Sequence, residues 1–152
     1  MKTFKKTAGF SLIELLVVIA IIGILAVALV PSFFTYIMRA KFQDVINVAQ
    51  GYKNAVAYCI MKNGKLAGCS SNSADGTVPD VSKFAATANV ATVTIVDGVI
   101  KVTSTATLPG PTTGTYYQLT PNFTDLNSPI IWSNSGSGCL TSVPQLCDLN
   151  NS

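Results

Sequence analysis

A chain of 152 residues has room for one domain of ordinary size beside a membrane segment, and its length argues against two. Apolar residues make up 49% of it and charged residues 11%, but the imbalance is local: the 24 residues from Leu15 to Met38 carry no charge, and the rest reads as a polar domain. The formal charge of +3 arises from Lys2, Lys5 and Lys6 at the start; the remaining 7 basic and 7 acidic residues balance, so net charge alone identifies no partner.

The first element in the chain is a basic leader that runs into an apolar helix. At about 1.5 Å per residue, a helix over Phe10 to Val30 is roughly 31 Å long and matches a hydrocarbon core of about 30 Å. With three lysines and no acid ahead of it, the leader should stay cytoplasmic while everything after Pro31 is exported. One carboxylate, Glu14, sits inside the apolar run. At a lipid-embedded position it should cost on the order of 2.5 to 3.5 kcal/mol, less near the interface, so it should have a partner. No Lys or Arg occurs between Lys6 and Arg39. Cleavage between Gly9 and Phe10 would create one by freeing an α-amino group four residues from Glu14, on the same helical face and about 6 Å away along the axis. If subunits stagger by that amount, the amine of one copy meets the carboxylate of the next in an apolar core.

The helix should continue from 32 to 62, because Phe34, Met38, Phe42, Val45, Ala49, Tyr52, Val56 and Cys59 recur at spacings of three and four. Polar residues from Gln43 to Asn54 fill the other face, so this half is amphipathic where the first half is apolar all round. Pro31 is expected to kink or end the helix and Gly23 to weaken it. Gly64 is placed to cap it. Residues 66 to 88 lack a period and read as a loop with one short helical turn.

Val90 to Val96 and Val99 to Leu108 are rich in Val, Ile and Thr, and Asp97-Gly98 between them predicts a type I′ hairpin. That turn pairs Val96 with Val99, Ile95 with Ile100, Thr94 with Lys101 and Val93 with Val102. One face is then apolar and must be covered by the helix stripe. After a loop around Pro109-Gly110-Pro111, Tyr116 to Leu119 and Pro129 to Ser133 predict two more strands. The fold class is therefore α+β: a long N-terminal helix packed on a four-stranded antiparallel sheet, with a cysteine-bounded C-terminal loop from Asn134 onward.

Four cysteines in an exported domain, with no CxxC and no histidine, point to two disulfides and not to a metal site. Three pairings are open; the local ones, Cys59-Cys69 and Cys139-Cys147, are preferred. No Gly-rich phosphate loop or nucleophile elbow is present, so no catalytic residue, metal ligand or cofactor is assigned and the chain is read as a non-enzyme. The stretch Arg39 to Lys65 holds five basic residues and one acidic, and Leu66 to Ser152 two basic and five acidic; this allows a basic stem to attract an acidic head of a neighbouring copy, and equally fits a solvated helix face with ordinary scatter of charge. DNA contact by that basic stretch is a weaker reading, because its aromatic residues lie on the packing stripe. Tyr52, Tyr58 and Trp132 are read as core, and the Asn122-Phe123-Thr124 sequon as chance.

The run Gly9-Phe10-Ser11-Leu12-Ile13-Glu14 resembles the class III signal of type IV prepilins and of type II secretion pseudopilins. The resemblance implies a leader, residues 1–9, removed by prepilin peptidase after Gly9; an N-methylated Phe10; a docking carboxylate at Glu14; and helix-loosening positions at Gly23 and Pro31. It further implies a transmembrane and filament-core helix over 10–31 and a periplasmic, then extracellular head over 32–152. The partners are then prepilin peptidase, the inner-membrane assembly machinery and further copies in a helical homopolymer. The precursor lies in the inner membrane and the product is a surface pilus serving adhesion, twitching motility or DNA uptake. A pseudopilin shares the same signal; two disulfides favour a fibre exposed to shear. An ordinary secretory signal cut after Ala26-Val27-Ala28 is the other alternative, and it explains neither Glu14 nor the helix that follows.

Overall fold

The computed structural model describes residues 9–84, 86–105 and 114–149, without the side chains of Pro31, Ser32 and Lys83. Lys2, Lys5 and Lys6, the strand expected over 106–108 and the loop around Pro109-Gly110-Pro111 lie outside the described residues. One helix, α1, spans Leu12–Asn63, and the chain divides into an N-terminal unit ending at Tyr36 and a second unit beginning at Ile37.

The helical backbone of α1 runs through Gly23 and Pro31, so the proline does not end it. At the other end Gly64 has φ 64° and donates its N–H to the Ile60 carbonyl at 2.8 Å. A left-handed residue there satisfies a terminal carbonyl at little cost for glycine.

In the second unit the helix buries Met38, Phe42, Val45, Ile46, Ala49, Val56, Cys59 and Ile60. Phe34, expected on this stripe, is 55% exposed and falls in the first unit instead. Ile46 and Ile60, one turn beyond Phe42 and Val56, widen the buried face past the single row that the spacing suggested. Tyr52 and Trp132 pack against the core, whereas Tyr58 is exposed, contrary to its reading as core.

The sheet comprises β1 (Val90–Val96), β2 (Val99–Ser104), β3 (Tyr116–Asn122) and β4 (Ile131–Ser133), antiparallel and in that order. The hairpin register is the predicted one, from Val96 opposite Val99 to Val93 opposite Val102. Asp97 (φ 46°) and Gly98 (φ 83°) both take the left-handed conformation that a type I′ turn demands. Alternation then buries Val93, Ile95, Ile100 and Val102, while Thr92 and Thr94 face out. A bulge between Val90 and Thr92 turns Val90 inward as well.

Three strand boundaries differ from expectation. β2 stops at Ser104, because Thr105 turns to the segment before β1, donating its N–H to the Asn89 carbonyl and its hydroxyl to the Ala88 carbonyl. β3 continues to Asn122, and β4 starts at Ile131 and not at Pro129. β3 pairs β2 over Tyr116–Leu119 and β4 over Thr120–Asn122, so Pro121 lies where the β2 side is unpaired. A proline is tolerated at such a place because no ladder donor is required of it.

Loops are tied to this frame by short bonds. Cys59 is joined to Cys69, and Cys139 to Cys147. The short helical turn expected within 66–88 is a 3₁₀ turn at Val81–Lys83, capped by the Asp80 carboxylate. Asp44 of α1 accepts from the Asn89 side chain at 2.5 Å. In the C-terminal loop Arg39 donates to the Gln145 carbonyl at 3.0 Å, and Ser137 both accepts from the Gln118 N–H and donates to its carbonyl, closing the edge of β3 where β4 has ended. Lys62, from the basic stretch, pairs with Asp75, from the acidic part, at 3.1 Å within one chain. Hydrogen bonds from the Thr77 hydroxyl and N–H, with that ammonium, hold the Asp75 carboxyl well below the usual carboxylate range.

Candidate processing and assembly segment

Gly9 and Phe10 lie just outside the helix, and both are exposed. Ser11 then closes the first turn. Its carbonyl accepts the N–H groups of Glu14 (3.1 Å) and Leu15 (3.4 Å), and its own N–H donates to Glu14 Oε2 at 2.9 Å. A glutamate reaching back from the third helical residue to the N-cap amide is one half of a capping box, and a carboxylate at this end also opposes the helix dipole.

This contact supplies Glu14 with a partner that charge counting overlooks. No Lys or Arg lies within one turn of Glu14 in the sequence, but a backbone N–H does. The pattern Ser11-Leu12-Ile13-Glu14 ahead of an apolar run is the signal that identifies it.

From Leu12 to Val30 the helix is long and apolar enough to cross a membrane: 19 residues, none of them buried. Large apolar side chains around its whole circumference are exposed, from 48% at Val18 to 79% at Val27. At Gly9 and Gly23 an added Cβ would meet nothing within 4 Å, and neither has a left-handed φ. The fold of the single chain therefore does not itself demand glycine at either position.

Among the described residues the other titratable groups form no site of their own. Among the described residues no three of His, Cys, Asp or Glu gather where a metal could bind, and all four cysteines are oxidised. Two ammonium groups of the head rest on aromatic rings, Lys101 on Tyr116 at 3.9 Å and Lys53 on Trp132 at 5.6 Å. Burial raises the Tyr117 phenol above its ordinary value, with hydrogen bonds to Asn134 and Gln50 acting against it.

Residues 4–30 match the family model described as the prokaryotic N-terminal methylation motif. The type IV pilus subunit protein TapA of Aeromonas hydrophila is 37% identical over 49% of this chain and 52% of its own length. The type IV major fimbrial protein FimA of Dichelobacter nodosus is 39% identical over 55% of this chain and 50% of its own. This chain is similar to type IV pilins. Similarity to known proteins is not confined to the motif: prepilin peptidase-dependent protein D of Escherichia coli K12 is 29% identical over 84% of the chain and 82% of its own length. The chain thus spans most of one relative and about half of the other two. The α+β architecture of the pilin-like chain, with its long N-terminal helix, four-stranded antiparallel sheet and Cys139-Cys147 loop, agrees with the pilin fold.

Proposed function

We propose that this pilin-like chain is a structural subunit of a type IV pilus and has no catalytic role. It is made as a precursor, cut after Gly9 by prepilin peptidase and methylated on the amine of Phe10. The segment 10–31 holds it in the inner membrane until the assembly machinery adds it to a helical homopolymer, and residues 32–152 form the outer part of the fibre. The observation that carries this reading is one helical segment, Leu12–Val30 of α1, exposed and apolar on every side, with a carboxylate in its first turn. Surface of that kind needs lipid around it before assembly and other copies of itself afterwards.

Glu14 then serves as the docking group, accepting the Phe10 amine of an adjacent copy. A new amine is what cleavage supplies, and neutralising both charges inside the core offsets the cost of burying either. Gly9 is required for recognition by the peptidase, in keeping with the absence of any demand for glycine from the fold. Gly23 and Pro31 are where the helix loosens as copies pack.

The test combines the mature terminus with one substitution. Mass spectrometry of the assembled protein should find N-methylated Phe10 at its start. Glu14→Ala should leave the chain in the membrane and abolish filaments. A mature chain beginning at Leu29, or filaments at wild-type yield from Glu14→Ala, rejects the proposal.

A further inference from the structure

We infer that Ser11 is a positioning residue for Glu14: its backbone N–H holds one carboxylate oxygen and thereby presents the other to the amine of the neighbouring copy. The inference rests on the pilus reading above and adds to it how the docking carboxylate is aimed. The Ser11 N–H donates to Oε2 at 2.9 Å, and among the described residues Oε1 has no hydrogen-bond partner. A carboxylate has lone pairs enough for both contacts, so cap and ion pair coexist without exchange.

The physical gain is in conformational freedom. A free glutamate side chain spends its time among many rotamers, and ordering it on contact opposes association. The cap removes most of that freedom before the neighbour arrives, which is how preorganisation raises affinity without adding a contact. In an apolar surrounding the amide bond to an ionised oxygen is also stronger than it is in water. Among the described residues the Ser11 hydroxyl makes no hydrogen bond, so the inference rests on the amide alone.

Two roles of Glu14 therefore separate. Glutamine can accept the Ser11 N–H and serves in capping boxes as glutamate does, but it carries no charge. Alanine does neither.

The inference is tested on the full-length precursor in detergent micelles by amide hydrogen exchange at Ser11. Glu14→Gln should keep part of the wild-type protection, and Glu14→Ala should exchange about two- to thirteen-fold faster than wild type, the range that the net worth of one hydrogen bond corresponds to. In cells, Ser11→Ala keeps the N–H and should give filaments at wild-type yield. Ser11→Pro lacks it and should give several-fold fewer from a chain whose mature terminus is still Phe10. Glu14→Gln should give none. Equal exchange in wild type and Glu14→Ala overturns the inference, as do normal filaments from Ser11→Pro. Should Ser11→Pro block cleavage, the exchange comparison decides alone. A mature terminus other than Phe10 would reject the pilus reading and leave the exchange result unaffected, so the two failures are told apart.

Discussion

The two units of this chain share one helix and solve opposite problems with it. In the first, up to Tyr36, large apolar side chains are exposed all round and the single acid is satisfied by a backbone amide. In the second, from Ile37, one face of the helix is sealed, with Phe42, Val45, Ala49, Val56, Cys59 and Ile60 fully buried. Hydrophobic burial is a property of where a side chain ends up, so equally apolar residues contribute to stability in one unit and to nothing intrachain in the other. The second unit buries a core of its own; in the function proposed above, the first is half of an interface whose other half is lipid or another copy.

The largest effect that sharpens this contrast is Phe42→Ala. Phe42 is fully buried, so the substitution removes a large side chain from a closed core and should cost the second unit about 3 to 5 kcal/mol, read by denaturant unfolding in detergent. Next is the double replacement of Cys139 and Cys147 by Ala, which frees a short loop and should cost about 2.5 to 3 kcal/mol, measured the same way. Below these comes Gly98→Ala. At φ 83° an alanine is strained, and its Cβ would stand 3.1 Å from Pro121 Cγ, so a loss of about 1 to 2 kcal/mol is expected. Unchanged unfolding in any of the three would show that the second unit is held together elsewhere.

Most of this arrangement was legible in the residues. The Asp97-Gly98 turn dictates the register of β1 and β2 because only one pairing places two left-handed residues at the corner. The period of α1 shows which face is buried from Met38 onward. Where the reading missed, the deciding contact was non-local or made by backbone. Phe34 obeys the same spacing as Met38 yet is exposed, since a period identifies a face and cannot say where along the helix a covering sheet ends. β3 runs on through Pro121 because β4, and not β2, pairs with it there. At Glu14 the capping pattern stands in four consecutive residues, but the partner is a backbone N–H, which bears no charge and so does not show in a count of charges.

The smallest predicted effect bears hardest on the comparison. Ile22 is 58% exposed on the apolar helix, and Ile22→Ala removes about as much apolar surface as many core truncations do. If the first unit contributes only to surroundings outside the chain, unfolding of the second in detergent should change by less than about 0.5 kcal/mol, the range of ordinary surface substitutions. Filament yield is the readout that should move, because in a packed polymer the same side chain lies against other helices and its removal leaves a gap. A drop in the unfolding free energy as large as that of a core truncation would mean that the stability of the second unit depends on side chains it does not contain. The division at Tyr36 would then have no energetic meaning.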